Sequence, residues 1–116
     1  MSKTFFSEFS TPQHKDIVVG IITSDDFHYD ILQPLFKEYG YGFTDMNTGI
    51  IYIDGEAGLD RDELKWVEAH EAAHIISGSL DERETDLLAH QLLLEKGYHR
   101  SAELVMSNLG RHAEMD

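Results

Sequence analysis

Along this chain, short continuous apolar runs give way to longer stretches in which apolar residues recur every three or four positions. Residues 1–15 follow neither period, which predicts a flexible N-terminal segment ahead of one domain over residues 16–116. The run DIVVGIIT (16–23) is rich in β-branched residues and bounded by polar ones, the pattern of a buried strand. From Asp25 to Tyr39, residues Phe27, Ile31, Leu32, Leu35, Phe36 and Tyr39 keep helical spacing, and Pro34 either kinks that helix or opens its second half. YGFTDMNTGIIYIDG (41–55) reads as two strands joined by the turn MNTG, in which Gly49 suits a positive φ.

Three helices are predicted next. The first opens at Asp60, an N-cap followed three residues later by Glu63, and runs to about Ser77, where Gly78 supplies a left-handed stop. The second runs from about Leu80 to Lys96, before Gly97. In the third, Ala102, Val105, Met106, Leu109 and Ala113 keep the 3.6-residue period. The order predicts an α+β domain: a small sheet built from a strand, a helix and a β-hairpin, then three consecutive helices. No internal repeat is present.

Composition narrows the chemistry. A chain of 116 residues supports one domain that buries about 60% or more of its unfolded surface. A formal net charge of −13, with no Lys/Arg cluster to offset it, disfavours direct nucleic-acid binding and anionic membranes. There is no cysteine, so disulfides and thiolate metal sites are excluded and any metal must be held by His, Asp or Glu. The start, MSKTFFSEFSTPQHKD, lacks the apolar core of a secretion signal, and no apolar run approaches the ~20 residues of a membrane span. A soluble, cytoplasmic protein is expected; its oligomeric state is not fixed by these features.

Within the first of the three helices stands HEAAH, residues 70–74. At 3.6 residues per turn His70 and His74 lie one above the other on one face and can grip a single tetrahedral ion, while Glu71, about 100° round, can reach a water on that ion. At this composition the motif is expected on the order of 0.04 times by chance. From Ala69 to Leu80 the only titratable residues are His70, Glu71 and His74, set among Ala69, Ala72, Ala73, Ile75 and Ile76. Such a helix is buried on most sides, and burying three ionisable groups without partners costs several kcal/mol, which a bound metal offsets.

A catalytic zinc takes three protein ligands and keeps a position open. A third His six residues after the second is excluded, because Leu80 stands there. The following helix, LDERETDLLAHQLL (80–93), offers Asp81, Glu82, Glu84 and Asp86, and helical spacing aligns Glu82, Asp86 and His90 on one face. One of these can bind metal while another, a turn on, hydrogen-bonds a ligating histidine; Asp86 is placed for the second role. Glu82 also fits a capping box with Ser79 in SLDE, and Glu84, on the face of Leu88 and Gln91, is the alternative ligand.

The stretch GIIYIDGEAGLDRDELKWVEAHEAAHIISG followed by DERETDLLAHQLLLEKG resembles the ImmA/IrrE family of intracellular zinc peptidases. In that family a short strand precedes the HExxH helix and a helix of pattern E-x-x-A-[DN]-x-x-A-x-x-L-L follows; Glu82, Asp86, Ala89, Leu92 and Leu93 fall on the pattern. GYHRSAEL (97–104) is similar to the corresponding segment of HtpX-like peptidases. The resemblance covers roughly residues 49–104. Thr85 stands where these families usually carry a small Ala, Leu88 replaces the common aromatic or Gly, and only seven residues separate His74 from Glu82.

The resemblance implies a minimal zincin-like domain of gluzincin type, with zinc held by His70, His74 and Glu82 and with Glu71 as the general base that activates the zinc-bound water against a peptide carbonyl. It also implies a donor for the developing oxyanion outside the motif; Tyr98 and His99 are the candidates, with His90 behind them. The substrate would be a peptide or protein, by family analogy a transcriptional repressor. The strand IIYID (50–54) is expected at the sheet edge beside the cleft, where zincins receive an extended substrate, and Trp66 is expected to pack. The alternative is a zincin-like regulatory or interaction module that binds metal with latent or no proteolytic activity, a reading that the small size favours.

Overall fold

In a computed structural model the chain forms a four-stranded mixed sheet with one helix on one face and three on the other, an α+β fold. Residues 1–115 are described, with side chains through 107, so Leu109 and Ala113 lie outside the described side chains. The strands are β1 (Lys3–Phe6), β2 (Val18–Ile22), β3 (Gly42–Asp45) and β4 (Ile50–Asp54), in spatial order β1-β2-β4-β3. β2 and β4 run parallel, joined through helix α1 (Tyr29–Tyr39) and β3, while β1 and β3 flank them antiparallel. Gly49, at φ 73°, closes the β3–β4 turn as predicted.

Period-two alternation assigns the two faces. Val19, Ile51 and Ile53 join the main core with Phe9 and Ile17, whereas Ile22 and Tyr52 pack with Tyr29 and Phe36 of α1. Gly42 is required by proximity: a Cβ there would lie 2.9 Å from Val67 Cγ1 and 3.0 Å from the Tyr52 carbonyl oxygen. The absent side chain lets β3 lie close against helix α2 (Arg61–Ser77).

α2 begins and ends as its sequence predicts. Asp60 accepts the Glu63 amide and the Glu63 side chain accepts the Asp60 amide, so two of the unpaired N-terminal donors are satisfied. Gly78, at φ 68°, returns its amide to the His74 carbonyl. Ala69, Ala72 and Ala73 are fully buried, and these small side chains let α3 (Glu82–Glu95) and the sheet close on α2. α4 (His99–Met115) adds Ala102 and Val105 to the same core. No helix among the described residues is long and apolar enough to cross a membrane.

Four expectations are corrected. The segment expected to be flexible, residues 1–15, contributes β1 and a core residue: Phe9 is 1% exposed, and Ser7 donates to the buried Glu68 carboxylate at 2.7 Å. α1 starts at Tyr29, not Asp25, leaving Phe27 and Ile31 exposed; its packed face is Tyr29, Leu32 and Phe36. β4 is a central strand, and the edge is β3, because β4 is paired on both sides. Met106 is exposed although Ala102 and Val105 are buried.

Candidate metal centre

The middle of α2 and the first turn of α3 converge on one point. His70 Nε2 lies 3.0 Å from Glu82 Oε2 and His74 Nε2 lies 3.3 Å from Glu82 Oε1. One ligand atom from each of the three residues falls within 4.8 Å of the others, and the two imidazole rings stand nearly perpendicular, 88° apart.

The other ring nitrogens determine what this arrangement can hold. His74 Nδ1 is 2.8 Å from the carbonyl oxygen of Ser79, an atom that can only accept, so Nδ1 carries the proton and Nε2 presents a lone pair. His70 Nδ1 is likewise 2.8 Å from Asp86 Oδ1, and Asp86 is fully buried. With neutral rings, two imidazole lone pairs and a carboxylate face one another with no hydrogen between them. Only a cation or an added proton removes that repulsion. In the metal-free protein desolvation pulls the His70 pKa down, but the Asp86 hydrogen bond and the charges of Glu71, Asp86 and Glu82 overcome that and hold it above the ordinary 6.5.

Ligand bonds of about 2.0–2.1 Å to zinc put neighbouring donors roughly 3.3 Å apart, and the two His–Glu82 separations, 3.0 Å to Oε2 and 3.3 Å to Oε1, are of that size. Two imidazoles and a carboxylate suit zinc and several other first-row ions.

Glu71 points away from the triad's Nδ1 anchors and toward the sheet. Its Oε1 accepts from Thr44 Oγ1 of β3 at 2.7 Å, and it is 8% exposed. Burial pushes the Glu71 carboxyl above its ordinary 4.5, reinforced by Glu82 and opposed by His70, the Thr44 bond and His74. A carboxyl raised in this way is closer to the range in which proton transfer at neutral pH is efficient.

The remaining predicted residues divide. Asp86 stands behind His70 as the helical spacing implies. Glu84 is exposed and accepts from Ser79 Oγ, outside the triad. The cap of α3 is Asp81, which accepts the Glu84 amide, so Glu82 is released from the capping box that SLDE suggested. Tyr98 is held elsewhere, its hydroxyl donating to Glu8 at 2.8 Å with the Lys65 ammonium over its ring, and His99 is exposed at the start of α4. Neither lines the cavities at the triad, and His90 does not line them either. Trp66 does: with Tyr41 and Gly42 it lines a cavity of about 200 Å³ that reaches His70 and Glu82.

Three residues at the site escaped sequence reasoning: Thr44, Ser79 and Thr85. Ser79 acts through its backbone, which no side-chain pattern records. Thr85, completely buried, donates to the Asp81 carbonyl at 2.7 Å and sets its Oγ1 3.3 Å from His74 Nδ1. Thr44 is legible only as a polar residue on the inward-facing alternation of an edge strand.

Comparison with family models, with curated proteins and with solved structures finds no match for this chain.

Proposed function

We propose that the chain is a small metallopeptidase of zincin type, resembling the ImmA/IrrE peptidases, that hydrolyses peptide bonds in the cytoplasm. The observation that carries this reading is the convergence of His70 Nε2, His74 Nε2 and the Glu82 carboxylate, with both Nδ1 atoms tied to acceptors and a separate carboxylate, Glu71, poised beside them. A purely structural site would close with protein ligands and would have no use for that fourth group.

His70, His74 and Glu82 would hold the ion, with zinc the best fit to the donor set; when bound, the metal supplies Lewis acidity toward a carbonyl and makes water acidic near neutral pH. The chain supplies the rest. Thr44 occupies Glu71 Oε1 and fixes the plane of the carboxylate, leaving Oε2 to accept a proton from water. The same carboxyl then returns the proton to the leaving amine. Asp86 and Ser79 hold the two rings so that neither can rotate its lone pair away. Tyr98 donates to Glu8 and His99 is exposed at the start of α4, so neither serves as the oxyanion donor that the resemblance implies.

The test is metal analysis of the purified chain beside Glu82→Ala and Glu84→Ala, followed by hydrolysis of an unstructured protein with and without Glu71→Gln. About one zinc per chain, lost in Glu82→Ala and kept in Glu84→Ala, with turnover abolished in Glu71→Gln, is expected. A metal-loaded protein that cleaves nothing would instead be the regulatory module. Absence of metal after zinc is supplied would end both readings.

A further inference from the structure

The triad opens on a cleft of about 850 Å³ that wraps around the free edge of β3. Its two sides differ. On the α2 side are His70, Glu71, His74 and Glu82; on the α1 side the wall is Leu32, Leu35, Tyr39, Phe43 and Met46. The division follows the pleat: Phe43 stacks on Tyr52 with ring centroids 5.1 Å apart on the α1 face, while the next residue, Thr44, reaches Glu71 on the α2 face. Tyr39, Met46 and Leu80 on this cleft are 61%, 43% and 78% exposed, so large apolar groups that ordinary packing would hide stand open beside the metal ligands.

Charge is one-sided too. Glu38 and Asp45 line the cleft beyond the metal centre, and no Lys or Arg among the described residues lines it. With the chain at −13, an acidic segment approaching this cleft is repelled.

We propose that, in an extended polypeptide segment added to the outer edge of β3, the cleft selects a large apolar side chain seated against Leu32, Leu35 and Phe43 and a Lys or Arg two residues from it, on the same face, near Glu38 and Asp45. An added strand presents alternate side chains to the two faces, so the residue directed at the α1 wall is neighbour to residues facing the metal centre. Specificity is then a size-and-polarity filter on one side chain adjacent to the cleaved bond. The proposal rests on the peptidase reading only for that cleavage; binding of the segment stands apart from it. Leu35 is the informative position, because it lines the cleft without packing on the Ile22/Tyr29/Phe36 cluster.

The experiment uses the full chain as Glu71→Gln, zinc-supplemented, with fluorescein-labelled Gly/Ser decapeptides centred on Lys-Ser-Leu-Ser-Lys, Lys-Ser-Phe-Ser-Lys, Lys-Ser-Ala-Ser-Lys or Asp-Ser-Leu-Ser-Asp, read by anisotropy. The Leu and Phe peptides are expected to bind about tenfold tighter than the Ala peptide. The Asp-flanked peptide is expected to bind about tenfold more weakly than its Lys-flanked counterpart at low salt, a gap that closes as salt is raised. Leu35→Lys should remove the preference for Leu over Ala, and Leu35→Ala should reduce it, each with an unchanged thermal midpoint. Equal affinity for the Leu and Ala peptides, no measurable binding, or a preference that survives Leu35→Lys would overturn the proposal. If the chain with Glu71 intact binds with this preference yet cuts none of the peptides, the peptidase reading fails while the cleft assignment holds.

Discussion

Asp86 Oδ1 lies 2.8 Å from Nδ1 of His70, and the aspartate is completely buried one turn into α3 behind the candidate ligand it orients. Its carboxylate fixes the His70 tautomer and makes Nε2 a better donor. Asp86→Ala is expected to weaken zinc affinity by about 10–100-fold, measured by competition with a chelator of known affinity. An unchanged affinity would mean that His70 is held by packing alone.

In the proposed peptidase, Thr44 would act on the reaction through Glu71, whose Oε1 it bonds. Thr44→Val keeps the shape and removes the donor, so roughly tenfold is expected to be lost in kcat with metal content unchanged. Thr44→Ser should restore most of it. The pH profile of kcat/KM should shift upward on its acid side in Thr44→Val, because the bond favours the ionised carboxylate. A change in stability without a change in profile would make Thr44 merely structural.

Glu71 also predicts a pH dependence of stability in the metal-free protein. Burial holds its folded pKa above the ordinary 4.5, so the folded state binds a proton that the unfolded chain releases. That contribution to stability is present below about 4.5 and is lost as pH rises through the raised folded value. Glu71→Gln does not titrate; its thermal midpoint relative to the parent should therefore rise between pH 4.5 and pH 8. A difference that stays flat across this range would show that Glu71 is not desolvated.

The N-terminal segment is expected to matter for folding. Phe9 is 1% exposed with its ring centroid 6.3 Å from that of Tyr98, and Ser7 bonds Glu68 beneath it. Phe9→Ala should cost about 3–5 kcal/mol in urea unfolding, a large share of the stability of a domain this size. A loss below about 1 kcal/mol would show that residues 1–15 are dispensable.

The sequence carried the parts of the site that depend on helical spacing. His70 and His74 are one turn apart, Glu82 and Asp86 another turn apart on the next helix, and the Asp60/Glu63 and Gly78 signals fix where α2 starts and stops. What it did not carry depends on the chain meeting itself across space. β1 is defined by its partner β2 and by the Ser7–Glu68 contact, not by any period of its own. Tyr98 follows the glutamate helix closely in sequence, yet Glu8 and Lys65 draw its hydroxyl to the far end of the molecule's N-terminal segment. Phe27 and Ile31 match a helical stripe, but Phe27 precedes α1, where Asp26 and His28 turn the chain, and Ile31 is exposed on α1 while Tyr29, Leu32 and Phe36 pack.

The turn between α2 and α3 joins two tasks in very few residues. Gly78 stops the first helix, the next carbonyl orients His74, and Asp81 opens the second helix one position before Glu82. Because the acceptor on His74 is a backbone oxygen, the side chain at position 79 is free to vary as far as that ligand is concerned. The number of residues is not: one inserted here would rotate Glu82 about the axis of α3 and carry the Ser79 carbonyl off the imidazole together. The link is thus constrained in length rather than in letters, a form of restriction that gaps in related sequences would reveal and substitutions would not.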